Sequence, residues 1–171
     1  ALQATVYMAF PKADKLEHVL QKATELGAAE IVAFPSVRCV ARPDGKSLPK
    51  KLERWQRIAA SAAEQSGRGR IPTVRAAASF AQAMEEAARK DLAAFLYEGE
   101  RTRTFRSLMT GPRPATAALV SGPEGGFAPE EAEAAAAAGL VPCTLGPRIL
   151  RCETAPLCAL SALMFAWGEL D

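Results

Sequence analysis

Two segments combine glycine with charged side chains at points where a predicted strand gives way to a predicted helix. They are Gly122-Pro123-Glu124-Gly125-Gly126-Phe127 and Leu145-Gly146-Pro147-Arg148-Ile149-Leu150-Arg151-Cys152-Glu153-Thr154-Ala155. Glycine lets a ligand approach the backbone closely, and ligands of open α/β sheets bind at the carboxyl ends of strands. Neither a phosphate-binding P-loop nor a dinucleotide fingerprint matches the first segment. Together the two segments predict a ligand cleft that is neither of these nucleotide-binding motifs. Taken singly, the first segment also fits a tight turn and the second a buried connector.

The chain has few residues suited to histidine-dependent, cysteine-dependent or metal-dependent catalysis. The single histidine, His18, falls beside the apolar stripe of a predicted helix, which favours a surface role over catalysis. The four cysteines show no C-x-x-C spacing and are expected as small buried side chains: Cys39, Cys143, Cys152 and Cys158. We therefore expect no metal, and neither triad hydrolysis nor zinc catalysis.

Predicted strands and helices alternate along the chain. Strands are predicted at Thr5–Phe10, Ile31–Phe34, Val74–Arg75, Leu92–Tyr97, Ala117–Ser121 and Thr144–Leu145. Helices are predicted at Lys12–Leu26, Lys50–Gln65, Phe80–Ala88, Pro129–Ala138 and Ala155–Leu170, and Gly99–Arg113 is read as a polar, basic loop. This alternation predicts an α/β fold with a mostly parallel sheet flanked by helices.

Length and composition fit one globular domain. The chain has 171 residues, of which 49% are hydrophobic and 23% charged, and both fractions are ordinary for such a domain. The uncharged stretch Thr154–Gly168 is shorter than the roughly 20 residues of a membrane span. The start of the chain shows no secretory signal, and the cysteines form no disulfide framework. The expectation is a soluble cytoplasmic protein without a membrane partner.

The net charge of +2 conceals an uneven distribution. Residues 42–75 hold nine Lys or Arg and three Asp or Glu, whereas residues 117–171 hold two and seven. This asymmetry indicates a polyanion partner on one side of the molecule. The basic face is formed by Lys50, Arg54, Arg57, Arg68 and Arg70, with Lys22 and Arg38 adjoining it. The alternative is a solvated helix face.

The two segments, read as GPEGGFAPEE and LGPRILRCETA, resemble the SPOUT superfamily. More closely, they resemble the family that methylates N3 of a uridine in bacterial 16S ribosomal RNA. The stretches KATELGAAEIVAF, VRCV, KKLERWQRIAASAAEQSGR and IP match that family in the same order. The resemblance covers nearly the whole chain.

The resemblance implies a fold, a cofactor and partners. The fold would carry a C-terminal trefoil knot, an exception to unknotted topology. The active unit would be a homodimer acting on 16S ribosomal RNA or the small ribosomal subunit, with the basic face binding RNA. The cofactor would be S-adenosylmethionine, bound around Leu96, Tyr97, Glu98, Gly99, Gly122, Pro123, Gly125, Gly126, Leu145, Gly146, Ile149, Leu150 and Arg151.

The chain departs from the family pattern in two ways. Members usually carry an N-terminal PUA-like RNA-binding barrel, so residues 1–171 are expected to be the methyltransferase domain alone. Ala128 stands where serine is more usual, and a serine N-cap is worth about 1 kcal/mol over alanine. Two other functions stay open: a SPOUT enzyme acting at another RNA position, and an RNA-binding fragment with weak or no catalysis.

Three residues are candidates for methyl transfer to the imide nitrogen of uracil, which must lose its proton. Glu124 and Glu153 are candidates for the base or an orienting group, and Arg151 for stabilising the developing negative charge. Each has an alternative role. Glu124 would bind amides of its own loop, Glu153 would cap the last helix, and Arg151 would pair across a dimer.

The last predicted helix is apolar on all sides. Leu157, Leu160, Leu163, Met164, Phe165 and Trp167 fall within its uncharged stretch. Because such a helix must be covered all round, we expect a second copy of the chain to cover one side in a two-fold dimer.

Overall fold

A single six-stranded sheet runs through the computed structural model, which describes residues 1–170. Its strands are β1 Gln3–Ala9, β2 Glu30–Phe34, β3 Thr73–Ala76, β4 Leu92–Leu96, β5 Thr116–Ser121 and β6 Val141–Cys143. They lie in the order β3-β2-β1-β5-β4-β6, and every neighbouring pair among the described residues is parallel. The predicted fold class is confirmed.

Five helices cover the two faces of the sheet. They are α1 Lys15–Glu25, α2 Leu48–Gln65, α3 Phe80–Ala88, α4 Pro129–Ala138 and α5 Ala155–Ala166. Val6 and Met8 of β1 join the core beneath α1, α2 and α5, whereas Tyr7 and Ala9 join the core beneath α3 and α4. Alternate side chains of one strand thus serve opposite cores, as expected for a parallel sheet buried on both faces.

The end of the chain differs most from prediction. The predicted strand Thr144–Leu145 is wrong, because β6 is Val141–Cys143 and Thr144 makes only an isolated bridge to Thr104. The chain turns away at Gly146, whose φ is +115°. The last helix ends at Ala166 rather than at Leu170.

Other bounds differ by one to three residues; among them, β1 is Gln3–Ala9 rather than Thr5–Phe10, and α2 begins at Leu48 rather than at Lys50. Helix α1 begins at Lys15 rather than at Lys12. The predicted loop Gly99–Arg113 contains a 3-10 turn at Phe105–Met109, which buries the Phe105 ring in the core.

One buried carboxylate anchors the start of α4. Ala128, at the N-cap, has no side chain that can accept a hydrogen bond. Glu131 instead accepts hydrogen bonds from the Ala128 amide at 3.0 Å, the Ser36 hydroxyl at 2.9 Å and the Val37 amide at 2.9 Å. The helix that follows the first glycine segment is therefore tied to the exit of β2.

Since all strands point the same way, the segments that follow β1, β2, β4, β5 and β6 meet at one edge of the sheet. Helix α5 returns from β6 to pack against β5, β1 and α1. The trefoil knot stays a prediction, since strand order does not trace the threading. No helix among residues 1–170 has the length and apolarity of a membrane span.

Candidate functional site

A cavity of about 880 Å³ opens at the carboxyl edge of the sheet, beside β4, β5 and β6. The two glycine segments and the end of β4 line it together. Of the predicted cofactor positions, it is lined by Leu96, Tyr97, Glu98, Gly122, Pro123, Gly126, Leu145, Gly146, Ile149, Leu150 and Arg151. Gly99 and Gly125 do not line it. The cavity is within the usual size range of small-molecule sites, roughly 300–1,000 Å³.

The end of β4 forms one wall of the cavity. The Tyr97 amide donates to the Cys143 carbonyl at 3.0 Å, which continues the pairing with β6, and the Glu100 amide then turns back to the Tyr97 carbonyl at 3.1 Å. A Cβ at Gly99 would lie 2.5 Å from Cζ of Tyr97. Gly99 therefore makes room for the tyrosine ring rather than for a ligand in the cavity.

The first glycine segment forms a tight turn. The Gly126 amide donates to the Pro123 carbonyl at 2.9 Å, and Gly126 has a φ of +67°. A Cβ at Gly122 would lie 3.2 Å from the Gly126 carbonyl carbon, so the turn closes on itself there. Gly125 lies on the outer side, where its carbonyl accepts a hydrogen bond from Arg38 Nη1 at 2.9 Å.

The second glycine segment presents aliphatic side chains to the cavity. Leu145 and Leu150 are half-buried, whereas Ile149 is 79% exposed. The Arg151 carbonyl accepts hydrogen bonds from the amides of Thr154 and Ala155, which starts α5. The arrangement leaves apolar surface available to a flat ligand.

Glu124 is held by the start of α1. Its Oε1 accepts hydrogen bonds from the Lys12 amide at 2.6 Å and from Lys15 Nζ at 3.1 Å. Burial would raise the pKa of the Glu124 carboxyl, but the Lys12 amide and the Lys15 ammonium outweigh it and the pKa is lowered. The partners of Glu124 thus include groups outside its own loop.

Glu153 and Arg151 of the second glycine segment also line the cavity. Glu153 accepts a hydrogen bond from Cys152 Sγ at 3.3 Å, and the N-cap of α5 is Thr154. Its own backbone amide and the Cys152 thiol lower the pKa of Glu153. Burial raises the pKa of the Cys152 thiol to about 12, so this group stays protonated. Arg151 is exposed and forms no ion pair within residues 1–170.

Sequence reasoning missed several charged residues that line the cavity. These are Lys15, Glu100, Arg101 and Arg148. Arg148 lies inside the second glycine segment, so the sequence itself contained a signal for its place at the cavity. Lys15 gave no such signal, because its place depends on the pairing of β1 with β5.

The predicted RNA-binding residues do not form one free surface near the cavity. Several have partners within the chain: Lys22 with Glu25, Arg54 with Glu17, Arg70 with Gln3, Arg38 with Gly125, and Arg68 with the Thr24 and Ala28 carbonyls. Lys50 and Arg57 are exposed on α2. Helix α2 packs on α1 and β3, and β3 lies four strand spacings, roughly 19 Å, from β4.

Metal ligands are not grouped in this part of the protein. Within residues 1–170, no cluster of three or more His, Cys, Asp or Glu side chains is placed to hold a metal ion.

Comparison with known proteins gives one consistent result. The model of the RNA methyltransferase domain family matches residues 1–164. The chain is 42% identical to ribosomal RNA small subunit methyltransferase E of Bacillus subtilis over 96% of its length, and 38% identical to the Mycobacterium bovis protein of that name over 93%. It is similar to a solved structure of ribosomal RNA small subunit methyltransferase E from Neisseria gonorrhoeae bound to S-adenosylmethionine, with a TM-score of 0.84, 36% identity and 97% of this chain covered.

These relatives are longer than the chain. The chain spans 67% of the Bacillus protein, 62% of the Mycobacterium protein and 67% of the Neisseria chain.

Proposed function

The chain belongs to the RNA methyltransferase domain family, in the group of ribosomal RNA small subunit methyltransferase E, and on that premise we propose that it methylates ribosomal RNA. The methyl donor would be S-adenosylmethionine, and the acceptor N3 of a uridine in 16S ribosomal RNA of the small subunit. With this substrate the protein would act in the cytoplasm. The observation that carries the proposal is the single cavity that both glycine segments line.

The residues of the cavity suit S-adenosylmethionine. Leu96, Leu145 and Leu150 provide half-buried apolar surface for an adenine ring. The backbone at Gly146 carries no Cβ that would stand between chain and ligand, and Gly122 permits the tight turn that lines the cavity. The carboxylates that line the cavity, among them those of Glu124 and Glu153, suit a cationic ligand.

When bound, this cofactor would supply an electrophilic methyl group on a sulfonium. The chain's own contribution would be to hold the acceptor base in line with that group, because orientation provides much of the rate of a displacement. The Tyr97 wall and the closed turn at Gly122 offer fixed surfaces for this purpose.

The proton of uracil N3 needs an acceptor. Both Glu124 and Glu153 have lowered pKa values and are ionised at neutral pH, as a proton acceptor must be. Arg151, exposed at the same cavity, would stabilise the negative charge that forms on the uracil oxygens. If Glu124→Gln and Glu153→Gln proteins both retain wild-type turnover with cofactor bound, neither carboxylate is the base.

We also propose that the active unit is a homodimer. Helix α5 buries Leu160 and Leu163, but Phe165 beside them is 72% exposed. Ile149 and Leu170 add exposed apolar surface, at 79% and 44%. A self-complementary patch on a second copy would cover Phe165 in a two-fold dimer.

The first test is calorimetric titration of the chain with S-adenosylmethionine, followed by mass mapping of 16S ribosomal RNA incubated with both. Micromolar binding and one added methyl group on a uridine are expected. Absence of cofactor binding would leave an RNA-binding module. A methyl group at another kind of position would identify a related enzyme of different specificity. Repeating the assay with small ribosomal subunits shows whether the chain needs the assembled particle.

A further inference from the structure

Three arginines stand together on the segment that follows β4. Arg101, Arg103 and Arg106 are all exposed. None of them forms an ion pair with another side chain in residues 1–170. They contrast with Arg54, which Glu17 binds through two hydrogen bonds at 2.6 and 3.0 Å. These three are named the β4-loop arginines below.

The backbone that carries the β4-loop arginines is held at several points. The Glu100 carboxylate accepts hydrogen bonds from the Thr102 amide at 2.7 Å, the Thr102 hydroxyl at 2.8 Å and the Arg103 amide at 3.0 Å. These bonds, with those from the Arg103 and Thr102 amides foremost, lower the pKa of Glu100 to about 2. The Glu100 carboxylate is therefore ionised, and can accept these hydrogen bonds, throughout the neutral pH range.

The same segment is also paired with Thr144, the residue just before the second glycine segment. The Thr144 amide donates to the Arg103 carbonyl at 2.9 Å, and the Phe105 amide donates to the Thr144 carbonyl at 2.8 Å. The Phe105 side chain is 3% exposed and packs in the core, which anchors the segment between Arg103 and Arg106. The arginines are thus presented from an ordered surface beside the cavity, not from a loose loop.

Their place relative to the cavity decides what they can bind. Arg101 lines the cavity itself, together with Arg148 and Arg151 of the second glycine segment. A nucleotide whose base enters the cavity has its neighbouring phosphates at the cavity mouth. Helix α2, which carries the exposed Lys50 and Arg57, packs on α1 and β3, whereas the β4-loop arginines follow β4 on the other half of the sheet.

We propose that Arg101, Arg103 and Arg106 bind the RNA phosphates that flank the target nucleotide and so set the register of the RNA strand over the cavity. The inference rests on the proposed function and names the RNA contact of that same site. Phosphate contacts of this kind position a nucleic acid without reading its sequence. Arginine suits the task because its planar fork matches the phosphate oxygens.

The test compares two matched double variants. Arg103→Gln with Arg106→Gln removes two exposed charges near the cavity, and Lys50→Gln with Arg57→Gln removes two exposed charges on α2. None of the four residues lines the cavity. Binding to unmodified 16S ribosomal RNA transcript is measured across a salt series, and binding to S-adenosylmethionine is measured separately.

For the Arg103/Arg106 variant, the slope of log affinity against log salt should fall by about 1.4, since each single-strand phosphate contact accounts for roughly 0.7. Its cofactor affinity and thermal unfolding midpoint should match wild type, while methylation at limiting RNA falls at least tenfold. The Lys50/Arg57 variant should keep the wild-type slope within about 0.3. Arg103→Lys with Arg106→Lys should restore most of the slope.

Two results would overturn the inference alone: an unchanged slope in the Arg103/Arg106 variant, or an equal loss in the Lys50/Arg57 variant. The first would show that these arginines are solvated, and the second that the RNA spans the far end of the sheet. A wild-type chain that binds neither cofactor nor RNA would instead overturn the proposed function, and this inference with it.

Discussion

Lys15 Nζ lies 3.1 Å from Glu124 Oε1 and joins the start of α1 to the first glycine segment. The same oxygen also accepts the Lys12 amide at 2.6 Å. Residues more than 100 positions apart in the chain thus fix a candidate catalytic carboxylate. The ion pair and the Lys12 amide together tie the first glycine segment to the start of α1.

Glu124→Gln should destabilise the protein at pH 7 and much less at low pH. Burial would raise the pKa of Glu124, but the hydrogen bonds from the Lys12 amide, just before α1, and from Lys15 lower it. Its contribution is therefore present above the unfolded-state pKa of about 4.3 and is lost as the pH falls through the lower folded value. Urea unfolding at pH 7 and pH 3 measures the difference, with exposed Glu130→Gln as control. If Glu124→Gln lowers the free energy of unfolding equally at pH 7 and pH 3, the ionised carboxylate does not stabilise the fold.

Glu131→Ala should lower the free energy of unfolding by about 2–3 kcal/mol, because it leaves the Ser36 hydroxyl and the Val37 and Ala128 amides without their acceptor. Glu133→Ala on the exposed side of α4 is the control and should change stability by less than about 0.5 kcal/mol. Chemical unfolding of both proteins decides the matter. Equal effects would mean that the buried carboxylate adds no anchoring.

Arg68→Gln should affect folding rather than RNA binding. Arg68 Nη1 donates to the Thr24 carbonyl at 2.8 Å and the Ala28 carbonyl at 2.9 Å, so it binds the carbonyls at the end of α1. We expect the free energy of unfolding to fall by about 1–3 kcal/mol, and the salt slope of RNA binding to stay at the wild-type value. Arg57→Gln, on the exposed face of α2, is the control for stability. If the Arg68 variant is as stable as wild type but binds RNA more weakly, Arg68 contacts RNA after all.

Gly122→Ala should weaken cofactor binding at least tenfold, which corresponds to about 1.4 kcal/mol. The added Cβ would lie 3.2 Å from the Gly126 carbonyl carbon and 3.3 Å from Phe127 Cδ2, so the backbone of the turn must move. Gly111→Ala is the matched control, since its Cβ would meet no atom within 4 Å. Calorimetry with S-adenosylmethionine compares the two. Wild-type affinity in the Gly122 variant would place the ligand away from this turn.

Phe165→Glu should dissociate the proposed homodimer. The substitution places a charge on the exposed apolar face of α5, and Val40→Glu, at a residue equally exposed elsewhere, is the control. Light scattering at micromolar concentration should give a dimer for wild type and for the control, and a monomer for Phe165→Glu. A monomeric wild-type chain would remove the dimer from the proposal.

The sequence predicted the elements better than their arrangement. Apolar runs identified the buried strands β2, β4 and β5 to within one residue, because a strand buried on both faces has no other composition. Thr144–Leu145 was misassigned because β6 pairs with β4 over Val141–Cys143 and ends before Thr144. Periodicity reports which residues are buried, but it does not report where a strand loses its neighbour.

The candidate site was predictable where it is local. Both glycine segments follow strands and were found from their composition, whereas Lys15 and Arg101 enter the cavity through strand order and loop pairing. The hydrogen-bond partners of the basic residues could not be predicted from the sequence either. Arg54 and Arg68 look like free cations in the sequence, and only the packing of α1 against α2 shows what they bind.

The central position of β1 bears on synthesis of the chain. β1 pairs with β2 on one side and with β5 on the other, so its second edge has no partner until residues near 121 have been made. At roughly 5–20 residues per second, the nascent chain waits about 5–20 s for that strand. During this interval an apolar edge is open to the solvent and to other chains. Elongation speed between β2 and β5 therefore sets how long each newly made molecule is vulnerable to aggregation.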